Sequence, residues 1–257
     1  MPSPPRSYTS FPSQADLFYY CTTSSTSDED LNMRYARPSK SSLRIGVVIL
    51  GQDQVQLLDL AALDLLAMLG RNRIGKLNPS RAAMDEALDE IDIRYVSVTG
   101  EGSFPVTSGS RMPVTNSFAN APQFDILIIP GSFVQSELPA AAAYFLASQF
   151  ANPSLSALMC IASGISHLAQ TGILHKQRAA APRSLLATLQ SEYPETFWQQ
   201  SSWARHNDIW SSSSSLSALE MVTTWMREYF WDRAAAVECC MSAAGFPSME
   251  EYNHCDY

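Results

Sequence analysis

The residue best placed to act as a nucleophile is Cys160, which closes the run Leu155-Ser156-Ala157-Leu158-Met159-Cys160-Ile161-Ala162-Ser163-Gly164. The spacing predicts a strand, a tight turn carrying the thiol, and the start of a helix. A cysteine on such a turn stands over the carboxyl end of a sheet. There the unpaired amide N–H groups of the helix favour thiolate over thiol. The segment follows the small-x-nucleophile-x-small pattern of a nucleophile elbow only loosely. An inert core cysteine is the competing reading.

A second residue is out of place. Asp59 sits among Leu57, Leu58, Leu60 and Ala61, where a bare carboxylate is costly unless it is paired or protonated. Burial would raise its pKa toward values useful for acid–base work. The alternative is a helix N-terminal cap, a role aspartate fills well.

The elements that must position these groups can be read from the pattern. Leu43 to Leu50 is an apolar, β-branched run ending at Gly51, as expected of a buried parallel strand. Gln56 to Leu69 has helical spacing closed by Gly70. Residues 71–90 form a charged, Ala-rich insertion, with a short helix expected over Ala82 to Leu88. Ile91 to Val98 alternates as a strand, residues 103–118 predict a hairpin or irregular excursion, and Phe124 to Ile129 predicts another buried strand. A helix ending near Phe150 leads into the strand before Cys160. Beyond it, helices are expected over Ser163 to Ala169, Ala179 to Tyr193, Leu216 to Tyr229 and Ala234 to Ala244, the third with its N-cap among Ser211 to Ser215. Alternating strands and helices give an α/β sandwich, a mostly parallel sheet covered on both faces. Ligands in such sheets bind beyond the carboxyl ends of the strands. Three loops qualify: Gly51 to Asp59, Pro130-Gly131-Ser132, and the Cys160 turn.

Composition bounds the rest. With 257 residues, 46% of them hydrophobic, one domain plus a tail suffices. Residues 1–40 are rich in Ser, Pro and Thr, include the acidic cluster Ser27-Asp28-Glu29-Asp30, and are expected to form a flexible extension, with residues 41–257 as the folded domain. Phe18, Tyr19 and Tyr20 leave a short docking element open. A net charge of −8 argues against nucleic-acid or anionic-membrane partners and for a small molecule or a protein. Cys21, Cys160, Cys239, Cys240 and Cys255 lack the spacing of a disulfide framework or zinc site, which points to the cytoplasm and to no metal. No apolar run approaches the roughly 18 residues of a membrane span. His167, His175, His206 and His254 show no pairing that would make one of them a catalyst.

The order of these pieces resembles the ThiJ/PfpI superfamily, with its class I glutamine amidotransferase-like fold. The resemblance rests on Arg44-Ile45-Gly46-Val47 leading to Leu57-Leu58-Asp59-Leu60, on Asp125 to Gly131, on Cys160 with Leu168-Ala169-x-x-Gly172-Ile173-Leu174, and on Asn207 to Ser213. It implies a flavodoxin-like three-layer sandwich with a nucleophile elbow, and within the superfamily the chain looks most like fungal members of the isonitrile hydratase branch. The resemblance further implies Cys160 as nucleophile and Asp59 as its acid–base partner. Gly131, Ser132 and Ile161 would offer backbone N–H groups to developing negative charge. It implies no cofactor, and a homodimer. The expected activity is hydration of an isonitrile to an N-substituted formamide in secondary metabolism. The alternatives are a non-catalytic small-molecule-binding or regulatory protein, or another cysteine-dependent hydrolase or hydro-lyase of a biosynthetic pathway. Two departures stand out. The family's cysteine is commonly followed by threonine and glycine, whereas Ile161 and Ala162 follow Cys160, and Pro182-Arg183 stands near the place where many relatives have His-Trp.

Overall fold

The computed structural model describes residues 39–50, 54–132 and 137–247. The expected extension lies outside these, apart from Ser39 and Lys40. Ser39 is already buried and donates its N–H to Asp232 at 3.1 Å, while Lys40 pairs with Asp125.

A seven-stranded sheet forms the middle of the molecule. It is built from β1 (Ser42–Val48), β2 (Glu90–Ser97), β5 (Asn116–Ser117), β6 (Ile126–Ile129), β7 (Ala157–Cys160), β10 (Trp203–His206) and β11 (Ile209–Ser212) in the order β10-β11-β7-β6-β1-β2-β5. Every pairing is parallel except the β10–β11 hairpin at one edge. The register sets Ile45 against both Ile93 and Ile126, and aligns Ile129, Cys160 and Ser211 across three neighbouring strands. Strands β1, β6 and β7 are apolar because both their faces are covered. One face carries α1 (Ala61–Met68), α7 (Ser215–Tyr229) and α8 (Ala234–Ala243), packed on Ile45, Val47, Ile126, Ile128, Met159 and Ile161. The other carries α4 (Ala140–Phe150), α5 (Ile165–Gln170) and α6 (Arg183–Glu192), packed on Val48, Leu127, Ile129, Leu158 and Cys160. This is the flavodoxin-like sandwich that the alternating pattern requires.

Between β1 and β2 lie α1, α2 (Arg71–Ile74) and α3 (Arg81–Glu86). The expected helix from Gln56 is subdivided: Leu57–Leu60 is a 3-10 turn, and the α-helix begins at Ala61. Residues 103–113 fold as a hairpin of β3 (Ser103–Pro105) and β4 (Arg111–Pro113). The expected helix from Ala179 starts later, because β8 (Arg178–Ala180) pairs with β9 (Phe197–Gln199) first. Chain order reverses between β1 and β6, so the switch point of the sheet lies beyond their carboxyl ends.

Candidate functional site

The Asp59 turn and the Pro130-Gly131-Ser132 turn meet at that switch point. Val55 makes the junction, with a parallel bridge to Val106 of the hairpin and an antiparallel bridge to Ser132. Its N–H donates to Pro105, its carbonyl accepts from Thr107, and the Leu57 N–H donates to the Thr107 hydroxyl. The hairpin thus clamps the segment that carries Asp59. The Gly131 N–H then donates to Asp59 Oδ2 at 2.7 Å. A Cβ on residue 131 would lie 2.8 Å from both that oxygen and the Ser163 hydroxyl, so only glycine permits this approach.

Asp59 is 1% exposed, and its second oxygen, Oδ1, makes no hydrogen bond among the described residues. Burial pushes the carboxyl above the usual aspartate range, opposed by the neighbouring Ser215 hydroxyl and the Gly131 amide. No cation forms an ion pair with it among the described residues. The helix-cap reading does not hold: the carboxylate accepts from a turn 72 residues away, and neither Leu57–Leu60 nor α1 has a side-chain cap.

Cys160 makes no hydrogen bond to this carboxyl among the described residues. It is the last residue of β7 and wholly buried, packed in the apolar layer of α4, α5 and α6, whereas Asp59 lies beside Ser215 on the α1 and α7 side. Burial alone pushes its thiol far above the ordinary range, away from thiolate. The sharp strand-to-helix turn comes two residues later. Ile161 is still extended, at φ −105° and ψ 126°, and Ala162 takes φ +48°, a left-handed conformation that alanine adopts at a cost. A 3-10 turn over Ala162–Gly164 then runs into α5.

The strained pivot expected of a nucleophile is therefore occupied by a methyl group. With Ala162 as the pivot, Ser163-Gly164 falls where the resemblance puts threonine and glycine. This signal was present in the sequence, but Cys160 drew the turn two residues early.

The three expected amide donors are also engaged. Gly131 N–H is held by Asp59, Ser132 N–H donates to the Ser163 hydroxyl at 3.0 Å, and Ile161 N–H donates to Ile129 in the strand ladder at 2.9 Å. The Ser163 hydroxyl in turn donates to the Ser132 carbonyl at 2.7 Å. Ala162 N–H reaches the Ser212 hydroxyl at 3.4 Å, and Ser215 contacts Gln56 at 3.4 Å. Two serines, Ser163 before α5 and Ser215 at the start of α7, thus lie near Asp59 as neutral neighbours. The residue pattern did not single out Ser163, Ser212 and Ser215, because serine carries no chemical signature of its own.

Histidine adds no partner. His167 is buried in α5 with neither ring nitrogen hydrogen-bonded among the described residues, and burial lowers its pKa. His206 accepts the Arg178 N–H at 3.2 Å on the far edge of the sheet. Among the described residues, no three His, Cys, Asp or Glu side chains gather to hold a metal. No helix among the described residues is long and apolar enough to cross a membrane.

No protein-family model matches the sequence, and neither does any curated protein sequence. Solved structures do match the fold. An AraC family transcriptional regulator from Pseudomonas putida superposes with a TM-score of 0.61 at 18% identity, over 79% of this chain and 99% of that one. A cysteine-to-alanine variant of a DJ-1 superfamily protein from Salmonella typhimurium gives 0.61 at 15% identity, over 80% and 100%. A ThiJ/PfpI family protein from Pseudomonas syringae gives 0.60 at 13% identity, over 89% and 84%. The chain has the fold of the DJ-1/ThiJ/PfpI superfamily, whose structural neighbours here include regulators.

Proposed function

We propose that this chain is a non-catalytic DJ-1/ThiJ/PfpI-fold protein that binds a small molecule in a binding or regulatory role. One observation carries this reading: Ala162, not a nucleophile, occupies the strained strand-to-helix pivot. Isonitrile hydration, the activity expected from the resemblance, requires a thiolate within reach of that carboxyl. Cys160 offers instead a wholly buried thiol in the apolar layer under α4, α5 and α6. The amides that would have held developing charge are already bonded within the protein.

The experiment incubates the folded protein with alkyl isonitriles and, separately, with iodoacetamide, and follows both by mass spectrometry. The expected result is no formamide and no adduct on Cys160 until the chain is unfolded. Formamide production that disappears in Cys160→Ala would overturn the proposal and restore the thiol enzyme.

A further inference from the structure

The carboxyl edge of the sheet has a second feature, on the far side of β1 from the Ala162 pivot. A cavity with room for about 500 Å³ opens beyond the ends of β1 and β2 and beside the β3–β4 hairpin. That volume falls in the range that takes small organic ligands. Its walls join an apolar floor, Ile49, Leu50 and Phe104, to one acidic and one basic side chain, Glu101 and Arg111.

The Arg111 guanidinium is held by its own hairpin, and Glu101 is carried on a tightly placed stretch of backbone. Arg111 Nε donates to the Ser103 hydroxyl at 2.7 Å and Nη2 to the Ser103 carbonyl, so the guanidinium is held against the hairpin it belongs to. Its Nη1 makes no hydrogen bond among the described residues, and no ion pair involves Arg111 there. Glu101 follows Gly100, whose φ is +75° and whose Cβ position would lie 2.4 Å from the Ser117 nitrogen. The Gly100 N–H is tied to the Ser97 hydroxyl at 3.2 Å, and the Glu101 carbonyl accepts from Thr99. No ion pair engages Glu101 among the described residues either. An anchored guanidinium and a carboxylate on a tightly placed stretch of backbone thus line one cavity without neutralising each other in an ion pair, above a hydrocarbon floor. Ligands with one charge of each sign and an apolar group match all three features. A guanidinium fork suits a carboxylate, and a carboxylate suits an ammonium.

We propose that this cavity is the ligand site, and that its ligand is a small zwitterion with an apolar side chain, such as a free aliphatic amino acid. Arg111 takes the carboxylate, Glu101 the ammonium, and Ile49, Leu50 and Phe104 the side chain. This assignment rests on the binding reading given above and adds to it the chemical class of the ligand.

The test is isothermal titration of the full chain with four probes: leucine, N-acetylleucine, isoamylamine and glycine. Leucine is expected to bind saturably, and each of the others, lacking one recognised group, at least about tenfold more weakly. Glu101→Gln should erase the preference for leucine over N-acetylleucine, because only the ammonium contact is lost. Arg111→Gln should erase the preference for leucine over isoamylamine. Glu101 and Arg111 are exposed, so both variants should fold, which circular dichroism would confirm. Absence of saturable leucine binding, or leucine binding that both variants leave unchanged, overturns the assignment. Either result leaves the reading of the Ala162 pivot untouched, because that reading is tested by thiol chemistry and isonitrile turnover.

Discussion

The Gly131 N–H donates to Asp59 Oδ2 at 2.7 Å, joining two turns 72 residues apart at the point where the sheet reverses its strand order. The contact has no room to spare, because a methyl group at position 131 would meet that oxygen and the Ser163 hydroxyl at 2.8 Å each. Gly131→Ala should therefore force the two turns apart and destabilise the fold by about 1–3 kcal/mol, in the manner of an overpacked core. Urea denaturation monitored by tryptophan fluorescence measures this. An unchanged midpoint would show that the turns separate at no cost.

Asp59 should make stability fall as pH rises. Its folded pKa is raised by burial, so the folded state holds a proton that the unfolded chain releases more readily. The stability this gives is fully present below the unfolded aspartate pKa and is lost as pH climbs through the higher folded value. In Asp59→Asn the amide oxygen can accept from Gly131 and nothing titrates. Urea midpoints of the wild type should decline over that window, while those of Asp59→Asn stay level by comparison. Parallel profiles would mean that the carboxyl ionises normally in the fold.

Cys160 should behave as a hydrophobic residue. Removing its sulfur in Cys160→Ala should cost about 1–2 kcal/mol through the small cavity left. Cys160→Ser, which buries a hydroxyl in an apolar layer, should cost more, about 2–3 kcal/mol. Chemical denaturation of both variants checks the ranking. A serine variant as stable as the wild type would place this side chain in a polar setting.

The pivot itself can be probed from both sides. Ala162→Cys puts a thiol on the strained turn, and iodoacetamide should label that variant in the native state at a rate the wild type does not approach. Ala162→Val should lose about 1–3 kcal/mol, because a β-branched side chain tolerates φ +48° poorly. A valine variant of wild-type stability, or an unlabelled cysteine variant, would show that residue 162 is not the half-buried apex of the turn.

Much of the architecture was legible because apolar runs and helical spacing report burial directly. Leu43 to Leu50, Phe124 to Ile129 and the segment before Cys160 became central parallel strands, and Leu216 to Tyr229 matched α7 closely, with Ser214 as its cap. The strand β8 inside an expected helix was missed because three residues, Arg178, Ala179 and Ala180, carry no period. At the site, burial made Asp59 conspicuous, and the structure does place it at the switch point. The pivot was misplaced by two residues. In a buried strand, Cys160 and Ala162 are both small and apolar, and only a backbone angle, which no residue type announces when glycine is not used, distinguishes the end of the strand from the turn beyond it.

Val55 has a wider importance than its single side chain suggests. Through its two bridges, the β3–β4 excursion is stitched to the turn after β6 by way of the Asp59 segment. An ornament inserted outside the repeating strand-helix pattern has thereby become a crossbeam between the cavity beside the hairpin and the turns that hold Asp59. Lengthening or trimming that excursion would therefore disturb both at once while leaving the central layers intact.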